Sequence, residues 1–203
     1  MTVTGSCRRA LILVLIIVLL SGCSTGEEES AASLTEQAQQ ILVDRSEDGG
    51  LDKALELTQR ATEVDPGYVP AYTARINILK RMGKAEGIVK ATERLAELQP
   101  NHENRLYLCM AQEATGKSDG KNSECYQQVV KEIEDESNTS AGKETYLLAL
   151  RLAEDDAFED ELDAYLKSLE SDVARDMAQF KFVESTRSDL FQVAAPVSEK
   201  PKK

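Results

Sequence analysis

Tryptophan is absent from this chain, histidine occurs once, and aromatic residues make up only 5% of it. A single imidazole leaves little room for histidine-based acid–base chemistry or for a histidine metal cage. Positive charge is scarce as well: 24 Lys and Arg stand against 36 Asp and Glu, a formal net charge of −12 over 203 residues. Nucleic-acid binders concentrate Lys and Arg to meet phosphate, so this balance argues against a nucleic-acid partner. No apolar run reaches the roughly 20 residues that a helix needs to cross a bilayer. With 41% hydrophobic and 30% charged residues, the chain is neither disordered throughout nor a polytopic membrane protein.

What is present begins with an address. Arg8 and Arg9 precede an apolar run of eleven residues, 10–20. That is the length of a signal-peptide h-region behind a positive n-region, and too short for a membrane span. The run ends in Leu20-Ser21-Gly22-Cys23, which resembles the lipobox of bacterial lipoproteins. The resemblance implies that residues 1–22 are a signal peptide cut before Cys23, that the Cys23 thiol receives a diacylglycerol, and that the new amine is acylated. Acyl chains anchor a protein because each buried CH₂ contributes about 0.8 kcal/mol. Ser24 stands where that family uses Asp to retain proteins in the inner membrane. The implied location is therefore the outer membrane, lipid-anchored, with the body on the periplasmic face. Residues 23–33 read as a lipidated, flexible tether of small and polar residues.

From Leu34 onward the apolar residues keep helical spacing. Leu34, Ala38, Ile41 and Leu42 fall at i, i+4, i+7 and i+8, and Tyr72, Ile76 and Leu79 at i, i+4 and i+7. Tyr126, Val129, Val130 and Ile133 repeat the pattern, as do Phe158, Leu162, Tyr165, Leu166 and Leu169. No stretch alternates with period two for long enough to make a convincing strand. The chain is predicted to be all-α.

The helices also repeat. Gly49 and Gly83 are 34 residues apart, as are Pro66 and Pro100, and Thr58/Thr92, Arg60/Arg94 and Glu63/Glu97 match at the same offset. This pattern resembles the tetratricopeptide repeat. By that resemblance Gly49 and Gly83 close the turn within each hairpin, Ala54 and Ala61 allow close packing, Pro66 and Pro100 end the second helix, and Tyr72 is the first large aromatic of a first helix. The second unit departs from the family with Ile88 and Leu95 at the small positions, and the third places Gly116 one residue early. The implied fold is a right-handed α-hairpin solenoid of about three units, residues 34–134, with C-terminal capping helices. Such hairpins must stack, and terminal units cap the ends. Residues 141–193 read as that cap: 146–153 apolar nearly all round and buried, 158–169 and 173–180 (with Met177) as amphipathic helices. Residues 194–203 read as a disordered tail.

Three features look like chemistry and have plainer readings. Residues 111–118 lie one substitution from a phosphate-binding loop, with Ala111 for the first glycine, but they follow a helix where that motif follows a strand. The acidic cluster of Glu154, Asp155, Asp156, Glu159, Asp160 and Glu161 lacks the alternating ligands and central glycine of a calcium loop, and suits a turn and helix N-terminus. His102 follows Pro100 at a helix start, with no second imidazole or activated serine beside it, as an exposed capping-region residue. No cofactor and no metal site are expected.

Once Cys7 leaves with the signal and Cys23 is lipidated, Cys109 and Cys125 remain, an even pair in an oxidising compartment. They flank the turn near Lys117 at equal distance, so two antiparallel helices bring them level. A disulfide is predicted; two free buried thiols are the alternative.

Tetratricopeptide proteins bind peptides or partner helices along the groove lined by the first helix of each hairpin. The family's groove positions fall here on Gln39, Thr73, Asn77, Lys80, Tyr107 and Ala111. Of the Lys/Asn/Arg clamp that some members use for a C-terminal carboxylate, only Asn77 is matched. A protein partner with a mixed polar and apolar surface is implied. The leading expectation is a non-enzymatic adaptor or scaffold in envelope, pilus or secretion assembly. The alternative is an immunity lipoprotein that binds and inhibits a periplasm-delivered toxin.

Overall fold

The computed structural model describes residues 29–44, 49–117, 121–134 and 140–196; the signal segment, Cys23 and residues 197–203 lie outside the described residues. Among the described residues there is no strand. The helices are α1 (Ala31–Asp44), α2 (Gly50–Val64), α3 (Val69–Arg81), α4 (Ala85–Leu98), α5 (His102–Ala114), α6 (Asn122–Glu134), α7 (Ser140–Ala153), α8 (Phe158–Ser168), α9 (Asp172–Gln179) with a π turn at Phe180–Glu184, and α10 (Arg187–Ala194). From α1 to α9 each helix packs on the next, and α1 also reaches α3, as α5 reaches α7. The fold is all-α, as the periodicity predicts, and its succession of packed helices is compatible with the solenoid-like stack of hairpins that the repeat resemblance implies. Only α10 leaves the order, lying back against α5.

The hairpin turns share one backbone device. Gly49, Gly83 and Gly116 have φ of +85°, +62° and +68°, the left-handed region where a Cβ is disfavoured. Gly116 keeps this role although it comes one residue early. After α3, the Gly83 amide donates to the Lys80 carbonyl at 3.1 Å and the Lys84 amide to Leu79 at 3.0 Å. After α5, the Gly116 amide donates to Glu113 at 2.9 Å and that of Lys117 to Gln112 at 2.8 Å. These bonds satisfy carbonyls that a helix end leaves bare. A fourth turn repeats them without glycine: Glu154, φ +58°, donates to Arg151 at 3.2 Å, and Asp155 to Leu150 at 3.0 Å. The segment read from sequence as a cap therefore opens with a fourth hairpin, α7–α8. A non-glycine residue held there costs about 1–2 kcal/mol.

Packing follows the 34-residue offset. Thr58 and Thr92 are fully buried, and each hydroxyl donates to a carbonyl of its own helix, at Leu55 and Ile88, both at 2.8 Å. Neither hydroxyl is therefore left unpaired. Ala54 and Ala61 are fully buried, as is Ile88, which takes the place of an alanine. The small residue has moved one place, to Gly87, where a Cβ would meet Leu79 Cδ2 at 2.9 Å. Close approach of α3 and α4 is preserved by a different residue.

Four boundaries or faces differ from the sequence reading. The tether stops short of residue 33, since Ala31 is buried in α1 and Glu29 pairs with Arg60. Residues 194 and 195, read from sequence as the start of a tail, are buried. On α9 the large apolar residues Val173, Met177 and Phe180 face solvent, while Ala178 is buried. His102 is only partly exposed, its Nε2 2.8 Å from Glu103 Oε1, while Asn101 caps α5 by accepting the Asn104 amide at 2.8 Å. Segment 146–153 is buried as read: Leu147, Ala149, Leu150, Leu152 and Ala153 all lie in the core.

Cys109 of α5 and Cys125 of α6 are joined as a disulfide with Cα atoms 5.9 Å apart. Mass spectrometry without reductant on exported protein should find both thiols blocked to alkylation. Replacing the pair by alanine should lower stability by about 3 kcal/mol, the loop-entropy scale for a closed loop of this size.

The assigned faces make a second prediction. Tyr72 and Leu106 are buried between helices, so Tyr72→Ala or Leu106→Ala should cost about 2–5 kcal/mol in urea unfolding. Val43→Ser, at an exposed position, should change it by less than about 0.5 kcal/mol.

Candidate functional site

The first helices of the first three hairpins, α1, α3 and α5, carry the residues that the repeat resemblance places in a groove. Gln39 on α1 and Thr73 and Asn77 on α3 are exposed. Thr73 also returns its hydroxyl to the Val69 carbonyl at 3.4 Å, which keeps the side chain close to the helix. Lys80 is half-buried with its Nζ 4.7 Å above the Tyr107 ring, and desolvation there pulls its pKa below the ordinary lysine value. The cation is held by the ring face where water has been removed.

Beyond Lys80 the face is already taken. Tyr107 donates its hydroxyl to the Ala194 carbonyl at 2.6 Å, and burial pushes its phenol pKa well up. Ala111, which the resemblance puts in the groove, is fully buried and packs in one cluster with Ala195, Tyr72 and Ile76. It cannot meet a partner while the C-terminal segment lies there. Of the six positions, Gln39, Thr73 and Asn77 remain open, Lys80 and Tyr107 are engaged within the chain, and Ala111 is covered.

The occupant is α10. Its own sequence makes it a self-contained helix: Thr186 accepts the Asp189 amide at 3.2 Å while Asp189 accepts the Thr186 amide at 2.7 Å, a reciprocal cap. Leu190 and Ala194 point inward, with Phe191 half-buried beside them. Arg187, Leu190, Phe191 and Ala194 therefore form one contact stripe at i, i+3, i+4 and i+7, the spacing of a helix laid in a groove. Arg187 is its polar anchor. Its guanidinium makes a two-pronged pair with Glu113, 2.8 and 2.9 Å, and donates to the Leu152 carbonyl at 3.0 Å. It lies between the rings of Tyr126 and Phe191, 5.7 and 5.6 Å from their centres, and Glu113 also accepts the Tyr126 hydroxyl at 2.8 Å. The hydrogen bonds to Glu113 hold the Arg187 pKa above its ordinary value. Glu154, the left-handed residue of the fourth turn, approaches Arg187 at 3.6 Å. Glu154 is largely exposed there, so the pair is a weak surface contact.

The chemistry-like motifs dissolve into this architecture. Residues 111–114 are the last turn of α5, so they offer bare carbonyls where a phosphate loop needs amides. The acidic cluster is divided: Glu154 faces Arg187, Asp155 accepts the Ala157 amide at 2.9 Å, and Glu161 pairs with Lys143 at 2.5 Å. Among the described residues no group of His, Cys, Asp and Glu can hold a metal ion, and no helix is long and apolar enough to cross a membrane. Two open clefts, about 410 and 320 Å³, lie near Cys125 and near Arg75, and neither sets a nucleophile beside a base. No protein-family model matches the chain, and no curated protein is significantly similar to it.

Sequence reasoning missed Glu113, Arg187 and Glu154. The spacing of Arg187, Leu190, Phe191 and Ala194 was a readable signal for a docking helix, but its acceptor lies 74 residues away in sequence.

The seating of α10 can be measured. Arg187→Ala should raise amide exchange across 187–194 and lower stability by about 1–2 kcal/mol, the low part of the charged-pair range because the guanidinium is partly wet. Tyr107→Phe should raise exchange near residue 195 with about 1 kcal/mol lost.

Proposed function

We propose that the chain is a non-enzymatic adaptor, held by Cys23 lipid on the periplasmic face of the outer membrane, that binds a protein partner on the first-helix face. The observation that carries this reading is α10. An eight-residue helix of the chain itself sits on that face through one arginine and three apolar or small side chains. A face that accepts one helix in this way offers the right chemistry for another. The open part, Gln39, Thr73 and Asn77 next to the Lys80–Tyr107 pair, is mixed polar and aromatic, which suits a folded or helical partner better than a bare carboxylate. The disulfide supports an oxidising compartment, and the tetratricopeptide resemblance supports the same use of the face. The partner is a component of an envelope, pilus or secretion assembly; binding of a delivered toxin would assign the chain to immunity instead.

Two experiments test the halves of this reading. Cys23→Ser should leave the body in the soluble fraction after a high-salt wash; a mutant that still fractionates with the outer membrane would refute the anchor. A photo-crosslinking residue at position 77 should trap a partner from intact envelopes, while one at exposed Glu93 should not. Adducts from position 93 with none from 77 would put the partner on the other face.

A further inference from the structure

Six large apolar side chains are exposed among the described residues: Val43 and Val64 singly, and four within eleven residues, Val173 (68%), Met177 (68%), Phe180 (63%) and Val183 (60%). Isolated exposed valines are ordinary on a protein surface. The group of four is different, because Val173, Met177 and Phe180 fall at i, i+4 and i+7 and so form one stripe along α9, with Val183 extending it through the π turn. The opposite side of the same segment is apolar too, and it is covered. Ala178 and Phe182 are buried, and the Phe182 ring meets Tyr165 edge-on with centroids 6.2 Å apart. A helix apolar on two sides is a helix made to be buried on both. Here one side is covered and the other is wet, a contiguous patch of the kind that marks an interaction surface.

The charges around the stripe say what fits it. Both basic residues of the segment are half-buried and already engaged by neighbouring groups. Arg175 donates to the Leu166 and Leu169 carbonyls at 3.4 and 2.7 Å and to Asp172 at 2.6 Å. Lys181 reaches Glu144 at 2.8 Å, with its Nζ 5.0 Å above the Phe182 ring. Glu170, Asp176 and Glu184 are exposed, and they form none of the ion pairs described for this segment. The solvent-facing rim is thus acidic, on a chain whose net charge is −12. A second copy would set carboxylates against carboxylates, and an anionic lipid surface would be repelled in the same way.

We propose that the stripe of Val173, Met177, Phe180 and Val183 is a docking surface for an apolar helix with basic flanks, supplied by another protein. It lies on α9, apart from the first-helix face proposed above, and its success or failure does not depend on that reading. Burial of the stripe supplies affinity, while the rim selects the sign of the partner's flanks.

The test uses the full chain and a labelled synthetic amphipathic helix with leucine on one face and lysine on its flanks, read by fluorescence anisotropy. A twin with glutamate flanks and a lysine peptide without the leucines serve as controls. Wild type should bind the leucine–lysine helix and neither control. Met177→Ser and Phe180→Ser should each weaken that binding about tenfold with an unchanged melting temperature, since both side chains are exposed. Asp176→Asn with Glu184→Gln should flatten the salt dependence of binding. Equal binding to the substituted chains would reduce the interaction to general attraction by an acidic surface and overturn the proposal. Equal binding of the glutamate twin would overturn the charge argument. Sedimentation as a dimer that Phe180→Ser dissolves, or Phe180-dependent binding to phosphatidylglycerol vesicles, would give the stripe to a second copy or to lipid and overturn it as well.

Discussion

A two-helix hairpin in water can cover one apolar stripe of each helix and must leave the others wet. Every other feature of this chain follows from that shortage of cover. Ala54 and Ala61 are fully buried in a cluster shared by α1 of their own hairpin and Ala71 and Ile78 of the next, so the core runs across hairpin boundaries. The shortage also creates the problem of ends. At the C-terminal end α10 turns back and covers α5 instead of prolonging the row, and the outer side of α9 stays bare.

That return explains why the first-helix face is divided. Its far part is occupied by Leu190, Ala194 and Ala195, and its near part, around Thr73 and Asn77, is not. The boundary is the pair formed by Lys80 and Tyr107, which joins α3 to α5 across the gap between them. A partner bound on the open part would meet a face closed at its far end by Ala194 and Ala195.

The helices and the first two turns could be read from sequence because each depends on local chemistry: apolar spacing of 3.6 residues, and glycines where φ is positive. Cys109 and Cys125 were readable for the same reason, since both flank one turn. The fourth hairpin was hidden because Glu154 occupies a position whose signature is glycine. Gly87 likewise hid the repeat's small position by moving one place along. The docking of α10 and the bare side of α9 are long-range facts. Periodicity says that a helix has an apolar face, and only the tertiary arrangement says whether anything lies on it. Of the six groove positions, three remained available for that reason alone.

The disulfide gives the array a mechanical asymmetry. Repeat stacks yield to tension from their ends, one unit at a time, because each unit is held only by its neighbours. A pull on the N-terminal end meets α1 to α4 first, and these contain no covalent crosslink. In the third hairpin the stretch 109–125 cannot be drawn out in this way, because Cys109 and Cys125 are bonded through sulfur. The chain behaves as an extensible leader of two hairpins ahead of a stitched knot, and the knot is also where Arg187 fastens the C-terminal helix.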